Sequence, residues 1–190
     1  MARLNEVHSQ LRPEGLYGNP KMTAELAALR LAELHCIYLV VGRLGTCFGP
    51  WEAATSVRDI LSAPLQVLQL AREGHATFLP HEGPRDWVYV RDAAAALGAL
   101  LKATSLQAPV CNLAAGFEWT VAQWGEEVEK WYPDLTRHLA RPSEGANVTY
   151  DAEYDRASLS IDRLQADTPF TPRFDLAAVA ADFRLWHANA

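Results

Sequence analysis

Tyr17-Gly18-Asn19-Pro20-Lys21 sets a phenol and an ammonium four residues apart at the head of a helix-forming run, Met22-Thr23-Ala24-Glu25-Leu26-Ala27-Ala28-Leu29-Arg30-Leu31-Ala32. Residues at i and i+4 of a helix share one face, so the two side chains can meet. A nearby ammonium stabilises phenolate over phenol, which brings a group that ordinarily ionises near pH ~10 closer to general acid/base work at neutral pH. Pro20 is expected in the first helical turn, where its missing N–H removes a donor that has no helical partner. The same spacing also arises as an ordinary surface pair. With six tyrosines and only Lys21, Lys102 and Lys130 as lysines, chance spacing gives about 0.1 such pairs. The order of the segments that follow therefore decides its meaning.

Cys36-Ile37-Tyr38-Leu39-Val40-Val41 is a nearly continuous apolar run of strand length, as expected for a strand buried on both faces of a parallel sheet. It leads into Arg43-Leu44-Gly45-Thr46-Cys47-Phe48-Gly49-Pro50-Trp51-Glu52. Further on, Arg85-Asp86-Trp87-Val88-Tyr89-Val90-Arg91-Asp92 opens an alanine-rich helix, Ala93 to Ala103, and a short strand, Val110-Cys111-Asn112-Leu113, precedes Ala114-Ala115-Gly116. The series Y-G-N-P-K, R-L-G-T-C-F-G-P, R-D-W-V-Y-V-R-D and V-C-N-L-A-A-G, in this order and at these intervals, resembles the extended short-chain dehydrogenase/reductases. Within them it is similar to the NAD-dependent epimerase/dehydratase group, which acts largely on nucleotide sugars.

The resemblance implies an α/β chain: the C-terminal part of a Rossmann-like doubly wound parallel sheet, with a smaller α/β substrate-binding lobe. Residues 1–50 and 85–116 would form the partial NAD(P)-binding domain. Residues 51–84 and 117–190 would form the lobe over the carboxyl ends of the strands, where ligands sit in such folds. By the same resemblance, Tyr17 matches the catalytic tyrosine that takes a proton from a sugar hydroxyl, or returns it. Lys21 matches the lysine that holds the nicotinamide ribose hydroxyls and favours phenolate. Thr46 stands where relatives carry the asparagine of R-x-x-N-x-x-G-P, and it is either a cofactor contact or a loop residue, since a hydroxyl lacks the paired geometry of an amide. Arg85 matches the arginine that reaches the substrate diphosphate, a task suited to a planar guanidinium; its alternative is a surface ion pair with Asp86. Arg141 and Arg156 lie where relatives place a second phosphate-reaching arginine, and the sequence does not choose between them.

The family's first half contributes a glycine-rich loop, a residue that reads the adenosine ribose and a Ser/Thr partner for the tyrosine, and none of these is recognised here. Met1 is expected to fall in mid-domain. Gly42 to Gly49 superficially suggests a nucleotide loop, but the spacing is G-x-x-G-x-x-x-G and Pro50-Trp51-Glu52 follows instead of a helix start. The expected function is that of a partial sugar epimerase/dehydratase using NAD or NADP, an isomerase or oxidoreductase. The alternatives are a reductase or dehydrogenase of the same superfamily, or a non-catalytic truncated chain that needs a separate N-terminal half. The expected partners are a nucleotide sugar and either a second copy in a homodimer or that N-terminal half.

Composition is that of a globular chain: 190 residues, 49% hydrophobic and 21% charged, with a formal net charge of −6 that argues against general nucleic-acid binding. No run suits a membrane span, and Arg3, Glu6 and Arg12 interrupt the start of the chain, so a cytoplasmic protein is expected. Cys36, Cys47 and Cys111 are expected to be buried free thiols. His75 and His81 read as loop residues, and no metal set is expected. Thr120 to Gln123 forms a capping-box start to a helix running through Trp131. Asp175 is expected to cap a last helix whose Leu176, Val179, Ala180, Phe183 and Trp186-His187 make a core-facing stripe.

Overall fold

In a computed structural model, which describes residues 3–13, 15–55, 60–150 and 155–188, the chain begins with α1 (Gly15–Leu34), β1 (Val41–Leu44), β2 (Thr46–Phe48), α2 (Ala63–Arg72) and β3 (Thr77–Leu79). There follow β4 (Pro84–Arg85), β5 (Trp87–Tyr89), α3 (Val90–Lys102) and β6 (Val110–Leu113). The remainder is β7 (Trp119–Thr120), α4 (Val121–Glu129), β8 (Arg137–Leu139), α5 (Asp162–Asp167) and α6 (Leu176–His187).

Among the described residues, three strand pairs are parallel: β1 with β6, β2 with β5, and β3 with β8. β4 and β7 are antiparallel, with Arg85 opposite Trp119. The mixed α/β class with parallel pairing agrees with the sequence. The first strand does not begin where the apolar run begins. Ile37 N–H donates to the Ala32 carbonyl and Cys36 adopts φ 53°, so this stretch closes the end of α1 in a left-handed cap. Pairing starts only at Val41, opposite Val110. Cys36 is consequently exposed and Cys47 half-buried, which corrects the expectation of three buried thiols; only Cys111 is buried, and all three are free.

Among the described residues, two clusters form the core. One gathers Phe48, Trp87, Tyr89, Trp119, Trp124 and Phe183 with the apolar faces of α2 and α4. The other packs Ala96 and Leu100 of α3 on Cys111 and Leu113 of β6 and on Leu164 of α5. Helices α4 and α6 start where their caps put them. Thr120 and Gln123 make the reciprocal capping box of α4, and the Asp175 carboxylate accepts from Ala178 N–H at 2.9 Å. Val179, Ala180 and Phe183 are buried, as the stripe predicts. No helix among the described residues is long and apolar enough to cross a membrane.

Tyr132 and His187 tie the end of α6 to the segment after α4, with the hydroxyl 2.9 Å from Nε2. Burial, with a smaller push from Arg72, holds the His187 imidazole below its usual pKa. The folded state thus binds this proton less readily than the unfolded chain does, so the stability present above pH ~6.5 is lost as pH falls through the folded value. The melting temperature is expected to drop between pH 7.5 and 5.5, and His187→Phe to flatten that slope; equal slopes in thermal melts of the two proteins would contradict this.

Candidate active site

α1 carries the first two candidates. Tyr17 is 78% exposed and Lys21 is exposed, with Nζ 5.5 Å from the centroid of the tyrosine ring. The ammonium therefore stands over the ring of the same face, as the spacing predicts. Pro20 lies inside the helix rather than in its first turn. The helix starts earlier than expected, at Gly15, and the bond that the Leu16 carbonyl would accept is missing. Asn19 Nδ2 donates to the Gly15 carbonyl at 3.0 Å and Thr23 Oγ1 donates back to the Asn19 carbonyl at 2.9 Å, on either side of the proline.

Thr46 opens β2 opposite Trp87 and is half-buried. Gly49 and Pro50, just beyond it, are buried, and Gly49 has φ 138°. A Cβ on Gly49 would lie 2.7 Å from Val90 Cγ1, so glycine is required there for packing against the start of α3. Gly42 is similarly pressed by Leu113, 2.6 Å from where its Cβ would be. These glycines serve strand packing, which agrees with reading this stretch as no nucleotide loop. Trp51 follows with φ 68° and is 84% exposed, its ring edge-on to Trp186 at 5.8 Å.

Arg85 is half-buried in β4, its guanidinium carbon 5.5 Å from the Trp87 ring centroid. Asp86, considered above as its surface partner, instead turns inward and is 4% exposed. Its carboxylate accepts from the backbone N–H groups of Ala115 (2.9 Å), Gly116 (3.1 Å) and Leu159 (3.0 Å). Asp86 thereby fastens the strand bearing Arg85 to the carboxyl end of β6 and to residues 158–160. Burial pushes its pKa up, while the three N–H donors pull it down. Asp86→Ala leaves one buried and two partly buried backbone donors unsatisfied, at about 1–3 kcal/mol each when fully cut off from water. With partial relaxation, a fall in melting temperature of roughly 6–15 °C is expected. A melt within about 2 °C of the parent, roughly a third or less of the smallest fall expected, would show that the carboxylate is dispensable.

Around Arg85 the fold brings together residues distant in sequence. The Tyr150 hydroxyl donates to the His81 carbonyl, and its pKa is pushed up to about 12, chiefly by burial. Gly83 N–H donates to His81 Nδ1 at 3.1 Å, and Asp155 Oδ1 lies 3.6 Å from the same nitrogen. His81 is therefore part of a built corner rather than a free loop residue. Arg156, exposed, follows Asp155, and Ser158 N–H is held by Glu118 at 2.6 Å. Arg141 sits in the turn after β8, its N–H donating to Glu144 at 3.3 Å. Of the two alternatives, Arg156 adjoins a residue that contacts the corner shared with Arg85. The inward turn of Asp86 and the Tyr150–His81 contact are not readable from the sequence, because only the fold shows which backbone donors and acceptors these side chains meet.

Residues 3–114 match the model of the NAD-dependent epimerase/dehydratase family. The chain belongs to that family. Among solved structures, UDP-glucuronic acid 4-epimerase from Bacillus cereus, in complex with UDP-glucuronic acid and NAD, is similar at 16% identity and a TM-score of 0.75, covering 100% of this chain and 57% of that one. dTDP-glucose 4,6-dehydratase from Bacillus anthracis, in complex with NAD, aligns at 18% identity and 0.73, covering 100% and 56%. RMD from Pseudomonas aeruginosa, complexed with NADPH, aligns at 20% and 0.75, covering 97% and 60%. The likeness is one of fold, and this epimerase/dehydratase chain spans less than two thirds of each of these structures. No curated protein matches it.

Proposed function

We propose that this chain supplies the proton-transfer pair and the substrate lobe of an NAD(P)-dependent epimerase/dehydratase that acts on a nucleotide sugar. The observation that carries the reading is the Tyr17–Lys21 pair, exposed on one face of α1 with 5.5 Å between Nζ and the ring centroid. Family membership and neighbours solved with NAD or NADPH support the choice of cofactor.

The residues fit one end of that cofactor. Lys21 would hold the nicotinamide ribose hydroxyls, Tyr17 would stand beside it, and Thr46 would lie near the same end. Gly42, Gly45 and Gly49 are each pressed against packed neighbours and offer no cradle for the pyrophosphate, so we assign that site to a dinucleotide-binding half outside this stretch of chain. Bound NAD(P) would accept and return a hydride at a sugar carbon. Tyr17 would take the proton from the hydroxyl on that carbon and give it back, and Lys21 would keep the oxygen ready for it. Arg85, with Arg156 as the better-placed second arginine, would hold the diphosphate through charge-assisted bonds.

Arg85→Ala tests the substrate assignment in the assembled enzyme. Loss of a charged hydrogen-bonding partner is expected to raise KM for a nucleotide sugar about 10–100-fold while kcat stays within roughly threefold. A fall in kcat at unchanged KM in steady-state assays would place Arg85 elsewhere in the reaction.

A further inference from the structure

α1 buries none of its residues, yet it carries the candidate chemistry. Leu16 is 96% exposed, and Leu31 and Leu34 are more than half exposed, so apolar packing on the body of the protein is a weak anchor for this helix. Its side chains Asn19, Thr23 and Arg30 bond within the helix. Among the described residues, the hydrogen bonds that α1 side chains make beyond the helix are those of Glu25. Arg43 of β1 grips that carboxylate with both arms: Nε lies 3.0 Å from Oε2 and Nη2 lies 2.6 Å from Oε1. The two side chains are only 21% and 12% exposed, for Arg43 and Glu25 respectively. Such a two-point contact fixes orientation as well as distance. Glu25 lies one helical turn beyond Lys21 and two beyond Tyr17, on a neighbouring part of the helix surface. Arg43 lies three residues before Thr46, on the strand that leads to it.

We infer that Glu25 and Arg43 are positioning residues, whose forked ion pair sets the helix bearing Tyr17 and Lys21 in register with β1, the strand that leads into Thr46 at the start of β2. The catalytic meaning of this rests on the reading that Tyr17 and Lys21 carry the proton transfer; the anchoring of the helix does not. Glu25, joined more weakly by Glu6, also makes Arg43 hold its proton more tightly than usual.

Hydrogen exchange on the full chain tests the inference. With Glu25→Gln, amides of residues 22–31 are expected to exchange about tenfold faster, while those of α2 and α4 keep the parent rates. Arg43→Lys, which keeps the charge and loses the fork, is expected to fall between the two. The exchanged pair, Glu25→Arg with Arg43→Glu, is expected to return residues 22–31 to within about threefold of the parent. Acceleration spread evenly over α2 and α4 would reveal a general stability role and overturn the inference. Unchanged exchange in Glu25→Gln, or no recovery in the exchanged pair, would overturn it as well. An outcome in which the exchange pattern holds but Tyr17→Phe leaves turnover intact would instead remove the catalytic reading and leave the anchor standing.

Discussion

Lys21→Met is expected to damage the assembled enzyme in two ways at once, lowering turnover by roughly 10²–10⁴ and weakening binding of the nicotinamide end by about tenfold or more. Methionine keeps much of the length of the side chain and deletes the ammonium, so the ring of Tyr17 retains a neighbour while its hydroxyl loses the nearby charge. The same change removes the donors assigned to the ribose hydroxyls, and a lost charged hydrogen bond costs about 1.5–3 kcal/mol. Steady-state rates and a cofactor titration separate the two effects. A variant that loses cofactor affinity but turns over normally at saturation would confine Lys21 to binding.

The parts of the fold that were legible in the sequence are those set by local physics. Val110–Leu113 forms the short strand expected there, and α4 starts at the box formed by Thr120 and Gln123. The Tyr17–Lys21 contact is equally local, since one turn of helix brings the two together. The error at Cys36 has a physical cause. An apolar stretch placed directly after a helix is first used to close that helix, and the hydrogen bond from Ile37 to Ala32 takes the residues out of strand geometry until Val41.

The illegible part of the site depends on contacts between distant segments. Asp86 stands beside Arg85 in sequence, which suggests an ion pair, yet it serves donors at Ala115, Gly116 and Leu159. Glu25 and Arg43 are each ordinary surface residues by type, and only the packing of α1 beside β1 makes them partners. His81 reads as a solvated loop residue until Tyr150 and Asp155 arrive from far along the chain.

The measurement that bears most directly on the central claim is turnover of a nucleotide sugar by Tyr17→Phe in the enzyme completed by its dinucleotide-binding half. Phenylalanine keeps the ring beneath Lys21 and deletes only the ionisable hydroxyl. Cofactor binding is expected to persist while turnover falls by the ~10²–10⁴ typical of a lost general acid/base. Turnover within about twofold of the parent would mean that the Tyr17–Lys21 pair is ordinary helix surface.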